Sequence, residues 1–287
     1  MAQLLKGAAV ATSLCEDLLP RINKLVQAHI TPTLAVIRVG EDAGALSYER
    51  AAQKRADKLG CKLKVYAFDE DVSQQQLIAQ ITKINEDSSI HGCLLFRPLP
   101  KTLDERLICN TLLPQKDVDG ITQGSLYGVF AGQKVGFSPC TAQACMALLD
   151  YYGIDICGKH VCVIGRSLVI GRPVSMLAQH RNATVTMCHS KTKDLTKHLQ
   201  AADIIIAALG HARFVTSDMV LEHQVLIDVG INWDASAQKL VGDVDFEHVE
   251  PKVCAITPVP GGIGAITTTI LMQHVVEAAE IQQVLKA

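Results

Sequence analysis

The sequence has no C-x-x-C pair, no apolar run approaching the ~20 residues that span a bilayer, and no excess of either charge. Its ten cysteines stand mostly singly in apolar runs, as at Cys61, Cys93, Cys162 and Cys254. That spacing excludes the usual zinc and dithiol redox motifs; it reads as reduced, buried thiols, and no metal site is expected. With 27 basic and 29 acidic residues the formal net charge is −2, which excludes general electrostatic capture by nucleic acid or an anionic membrane. Anion binding must then be local. No secretory leader pattern is visible, so the cytoplasm is the expected compartment. Internal repeats and low-complexity segments are missing as well.

At 287 residues the chain is about twice the usual length of one domain, which predicts two domains or one large α/β unit. An apolar run, Leu34 to Val39, ends at Gly40, and Ser47 to Leu59 reads as a helix stopped by Gly60. The pattern recurs with a strand over Lys62–Phe68, a helix over Ser73–Glu86 with Ser73 as N-cap, and a strand over Gly92–Phe96. Residues Lys101 to Ser138 carry turn formers (Pro114, Asp119-Gly120, Gly124, Gly128, Gly132, Gly136) and read as a connection between domains. A second series follows, with strands at His160–Ile164, Thr184–His189, Asp203–Ala208, Val225–Val229 and Val253–Ile256, and a closing helix from about Thr267. Such alternation predicts mainly parallel sheets covered by helices.

The strand at His160–Ile164 runs into Gly165-Arg166-Ser167-Leu168-Val169-Ile170-Gly171-Arg172-Pro173 and then into helix formers. Strand, tight turn and helix start form the context in which backbone N–H groups and the helix dipole receive a dinucleotide phosphate. The spacing is one residue longer than G-x-G-x-x-G, with Ser167 where the second glycine belongs, so an ordinary buried βα turn stays open. Charge favours the nucleotide. An NAD site carries an acidic residue about 20 positions on for the ribose 2′-hydroxyl, yet no Asp or Glu occurs between Asp155 and Asp194. Arg166 and Ser190, the latter in His189-Ser190-Lys191-Thr192-Lys193, suit a 2′-phosphate instead, so NADP is the expected cofactor.

With further segments the chain resembles the bifunctional methylenetetrahydrofolate dehydrogenase/cyclohydrolase family. These are Lys116-Asp117-Val118-Asp119-Gly120, Pro139-Cys140-Thr141, Ile227-Asp228-Val229-Gly230-Ile231-Asn232, Val241-Gly242-Asp243-Val244 and Thr257-Pro258-Val259-Pro260-Gly261-Gly262-Ile263-Gly264. The resemblance implies two α/β domains with a cleft between them. One is an N-terminal folate domain, 1–139, joined by the C-terminal helix 267–287; the other is a Rossmann-type NADP-binding domain, 140–266. A homodimer is implied too. Carried over, the cofactor residues are Gly165, Arg166, Ser167, Ser190, Ile231 and Thr141. The substrate residues are Tyr48, Asp119, Pro260, Gly261 and Gly262, with Tyr48 and Asp119 as the catalytic pair. Read without the resemblance, Tyr48 is an amphipathic helix tyrosine and Asp119 a turn former.

The departures concentrate in the folate half. The family's catalytic lysine, one helical turn after the tyrosine, is Ala52; its glutamine is Phe96; its Pro-Ala-Ser turn is Ala43-Gly44-Ala45; and Ala265 replaces the proline that closes the glycine-rich loop. Arg55 and Arg97 are candidate replacement cations, although arginine is a poor general base. The expected activity is NADP-dependent oxidation of 5,10-methylenetetrahydrofolate to the methenyl form, with cyclohydrolase activity weakened or lost. Open alternatives are a bifunctional enzyme with a rearranged site, a non-catalytic NADP- or folate-binding paralogue, and a dehydrogenase for another substrate. Competition titration of purified protein should show tighter binding of NADP than of NAD; equal or tighter NAD binding would contradict the reading of Arg166 and Ser190.

Overall fold

The computed structural model describes residues 2–284 and resolves the βα alternation into two separate parallel sheets. The chain divides into two units: Ser13–Cys140 with the segment beginning at Thr268, and Thr141–Thr267 with the segment ending at Thr12. The short strand β1 (Gln3–Leu4) therefore groups with the Rossmann residues, where it pairs in parallel with a strand more than 250 residues on. Helix α1 (Gly7–Gln27) begins in one unit and ends in the other.

In the N-terminal unit, β2 (Thr33–Val39) lies between β3 (Lys62–Phe68) and β4 (Gly92–Leu95), all parallel, with Val36 opposite both Val65 and Leu94. Helix α2 (Ala43–Leu59) starts four residues before the expected Ser47, because the Asp42 carboxylate accepts the Ala45 N–H at 2.8 Å. It stops where Gly60 turns left-handed. Ser73 and Gln76 form a reciprocal capping box at the start of α3 (Gln74–Glu86). Leu77, Ile81 and Ile84 then recur on one face and are fully buried, each contributing roughly 1.5–3 kcal/mol.

Residues 101–138 are not a linker. They hold α4 (Glu105–Thr111) and α5 (Gln123–Ala131), and they belong to the N-terminal unit. Capping by Asp104 and Thr122, whose side chains accept the Leu107 and Ser125 N–H groups, outweighs the low helix propensity of Gly124 and Gly128. Lys116 fixes this stretch to the core: its buried ammonium donates to the carbonyls of Ile84 (2.6 Å) and Asp87 (2.7 Å), at the carbonyl end of α3.

The other unit contains α6 (Cys140–Tyr151), which starts at its border, then β5 (His160–Ile164), α7 (Gly171–His180), β6 (Thr184–Cys188), α8 (Leu195–Gln200), β7 (Ile204–Ala207) and β8 (Val225–Asp228). The hairpin β9 (Asn232–Asp234) and β10 (Lys239–Val241), which sequence periodicity did not reveal, precedes α9 (Phe246–Val249) and β11 (Ala255–Ile256). Helix α10 (Thr267–Val284) closes the described chain. The sheet is parallel throughout, in the order β1-β11-β8-β7-β5-β6. After β5 the chain adds β6 on one side and then returns to β7 on the other, which makes the β5/β7 boundary a topological switch point.

All ten cysteines are free thiols and eight are buried. Cys254, expected inside, is exposed because it alternates outward between buried Val253 and Ala255. Among the described residues no helix is long and apolar enough to cross a membrane, and no group of three His, Cys, Asp or Glu side chains is placed to hold a metal. Lys116→Met keeps the aliphatic stem but strands one buried and one part-buried carbonyl, which should cost roughly 2–4 kcal/mol. Urea denaturation should show the lower midpoint with an unchanged slope.

Candidate active site

Gly165 ends β5 at the switch point with φ 121°, and a Cβ there would collide with the carbonyl oxygen of Ala208, just beyond β7. Only glycine permits that approach. The Ser167 hydroxyl accepts the Ile170 N–H at 3.2 Å and its carbonyl accepts the Arg172 N–H at 3.0 Å, closing the turn onto α7. Arg166 is exposed beside it. The Gly165 N–H donates to Cys188 O at 2.9 Å, so the turn adjoins the end of β6, where Ser190, Lys191 and Lys193 are exposed. A backbone cradle that a side chain would fill, flanked by a fixed cation and a hydroxyl, fits an anionic dinucleotide. Thr141, half-buried on α6, belongs to the same unit.

Two buried carboxylates shape the neighbouring loops. Asp228, at the end of β8, accepts N–H groups from Gly230 (2.9 Å), Asp243 (3.0 Å) and Val244 (2.9 Å), and Thr257 Oγ1 accepts the Asp228 N–H at 2.7 Å. Asp243 accepts from the Leu209, Gly210 and His211 backbone at 2.6, 3.0 and 2.9 Å and from the Asn232 amide at 2.9 Å. Burial pushes the Asp228 carboxyl up to about 6 even though these N–H groups pull it down. Held this way, Ile231 projects 64% exposed and lines a cavity of ≈ 360 Å³ together with Leu240, Pro260, Gly261, Gly262 and Ala265. The structure thus brings one expected cofactor residue, Ile231, to the expected substrate loop.

In the N-terminal unit Tyr48 is half-buried on α2, its ring edge-to-face with Phe96 at 6.0 Å between centroids. Ala52, on the next turn, has no exposed surface. Arg55 Nη1 points at Cys15 Sγ on α1, 3.2 Å away, and Arg97 pairs with Glu105 at 3.8 Å. Asp119 follows a turn knitted by Asp117, whose carboxylate accepts the Ile121 and Thr122 N–H groups at 3.0 and 2.7 Å. Burial, with Asp117 nearby, raises the Asp119 carboxyl to about 6; the Cys140 thiol hydrogen bond and Arg97 oppose the rise.

Comparison with known proteins divides the chain in sequence order, whereas the two units exchange their terminal segments. Residues 5–119 match the tetrahydrofolate dehydrogenase/cyclohydrolase catalytic domain, and residues 139–283 match the NAD(P)-binding domain of the same family. The chain belongs to the tetrahydrofolate dehydrogenase/cyclohydrolase family. It is 44% identical over 280 residues to the bifunctional protein FolD of Clostridium kluyveri, covering 98% of each chain. It superposes on the bifunctional FolD of Campylobacter jejuni with a TM-score of 0.95 and 39% identity, over 98% of this chain and 99% of the other. The Trypanosoma brucei dehydrogenase-cyclohydrolase, solved with NADP cofactor and an inhibitor, gives 0.92 and 29% over 100% and 99%.

Each half of this tetrahydrofolate dehydrogenase/cyclohydrolase family member carries its own set of candidate residues. The NAD(P)-binding half presents the Gly165 turn with Arg166 and Ser190 exposed near it, and the catalytic half presents Tyr48 and Asp119 with Ala52 and Phe96 beside the tyrosine. Sequence reasoning assigned no role to Asp228, Asp243, Lys116, Phe137 or His274. The available signal was a charged residue inside an apolar run, as in Ile227-Asp228-Val229 and Gly242-Asp243-Val244. Asp228→Asn turns an NH2 toward backbone donors and should cost about 2 kcal/mol. Because the folded pKa lies above the unfolded 3.8, the stability that protonated Asp228 contributes is complete below 3.8 and lost as pH rises through about 6. Urea midpoints measured across that window should fall with pH less steeply in the asparagine variant than in the unaltered protein.

Proposed function

We propose that this chain is an NADP-dependent 5,10-methylenetetrahydrofolate dehydrogenase in which hydrolysis of the methenyl product is weakened or lost. The carrying observation is at Ala52 and Phe96: a fully buried methyl and an aromatic ring packed against Tyr48 occupy the positions where proton transfer would be carried. NADP supplies the hydride acceptor, and dehydrogenation asks of the protein mainly orientation and a suitable electrostatic surrounding. Gly165, Arg166, Ser167, Ser190, Ile231 and Thr141 bind the dinucleotide, with Arg166 and Ser190 on the 2′-phosphate. Tyr48, Asp119 and the Pro260–Gly262 loop bind folate. Asp119, whose carboxyl is raised to about 6, accepts hydrogen bonds from the pterin when ionised.

Hydrolysis needs an activated water and a proton shuttle. Neither an alanine nor a phenylalanine provides one, and the two arginines, poor general bases by nature, are engaged with Cys15 and Glu105. The cytoplasmic homodimer that the resemblance implies is part of the same reading. A second reading, a fully bifunctional enzyme with rearranged residues, is favoured by the bifunctional relatives at 44% identity.

Absorbance-monitored turnover with methylenetetrahydrofolate and NADP separates the readings when NADPH and the methenyl species are followed independently. We expect both to accumulate, with slow methenyl decay, and Ala52→Lys combined with Phe96→Gln to accelerate that decay about 100-fold. Brisk hydrolysis by the unaltered chain supports the bifunctional reading instead. Silence in both channels, with nucleotide binding intact, supports a non-catalytic paralogue.

A further inference from the structure

Val118 lies between the two aspartates of the Lys116–Gly120 turn, and its carbonyl oxygen receives two donors. Nδ1 of His274, on α10, is 2.8 Å away, and the Cys140 thiol donates at 3.3 Å. A carbonyl oxygen only accepts, so Nδ1 carries the imidazole proton. The ring is 4% exposed, and Phe137 stacks on it with centroids 4.9 Å apart and planes inclined by 30°. Burial lowers its pKa to about 4, which keeps the imidazole neutral near pH 7 with a constant set of donors. Cys140 has a single thiol proton, for which the Val118 oxygen and the Asp119 carboxyl are alternative acceptors, and its sulfur lies 3.8 Å from His274 Nδ1.

Packing alone does not account for a histidine here. An apolar side chain of similar volume would fill the site without the desolvation cost of an imidazole, which the bond to Val118 offsets. What the imidazole adds is a directional hold on the peptide that joins Val118 to Asp119.

We propose that His274 is a positioning residue for Asp119: by holding the Val118 carbonyl it sets the orientation of the 118–119 peptide and keeps the Asp119 carboxyl against the Cys140 thiol. The functional part of this inference rests on the reading that Asp119 binds folate. The groups acting on Asp119 are Asp117, which raises its pKa, and Cys140 and Arg97, which lower it. Of these, the Cys140 contact is the one His274 maintains, so losing His274 raises the Asp119 midpoint.

The test compares His274→Asn, which keeps a donor at the δ position, with His274→Gln and His274→Leu, which do not. Carboxyl titration by 13C NMR in aspartate-labelled protein, assigned through Asp119→Asn, needs no substrate. The midpoint of Asp119 should rise by about one pH unit, a tenfold change in proton affinity, in the glutamine and leucine variants and stay in place in the asparagine variant. In parallel the KM for methylenetetrahydrofolate should rise about tenfold in those two variants with the KM for NADP unchanged. If leucine unfolds the unit, the glutamine and asparagine variants still decide. A midpoint unmoved in the glutamine variant, or moved equally in all three, overturns the proposal. A titration that responds as stated in a chain that turns over no folate upholds the positioning and removes the proposed function instead.

Discussion

Two carboxylates that lie almost entirely out of water, Asp228 and Asp243, hold the working end of the Rossmann unit together. Between them they accept six backbone N–H groups and the Asn232 amide, from segments following β7, β8 and β10. A parallel sheet leaves its strand ends as loops whose polar backbone is not satisfied by the ladder. Buried acceptors with several lone pairs order such loops without a further strand. The Ile231 projection, the hairpin after it and the wall of the glycine-rich cavity all start from these bonds.

The N-terminal unit uses the same device with a different charge. Lys116 satisfies the carbonyl end of α3, Asp117 satisfies the N–H groups leading into α5, and Val118 is held by His274 and Cys140. Asp119 is what this turn presents. Three consecutive residues, Lys116 to Val118, are thus tied down on the approach to one carboxyl.

Under the proposed function, binding a dinucleotide draws on the close backbone approach at Gly165 and the exposed guanidinium of Arg166. Moving protons needs a group that changes charge near neutrality; Ala52 and Phe96 are not such groups, and Tyr48 is packed against the second of them. On that proposal, cofactor binding and proton transfer are served by different parts of the chain.

Local pattern was enough to read the βα alternation and the helix caps at Ser73 and Gly60, because periodic burial, capping and turn formation are decided by neighbours in the chain, while the family was legible through its ordered motifs. It misread 101–138, where capping by Asp104 and Thr122 overrode glycines that resembled turns, and it missed β1, which pairs with β11 from the far end of the chain. The buried polar chemistry was decided by tertiary structure alone. Whether Asp228 is a surface turn or a buried acceptor, or whether His274 is a core ring or a hold on Val118 across 156 residues, depends on desolvation and on partners that fold in from elsewhere. A sequence states which groups can ionise or donate; only their surroundings in three dimensions set the energy of doing so.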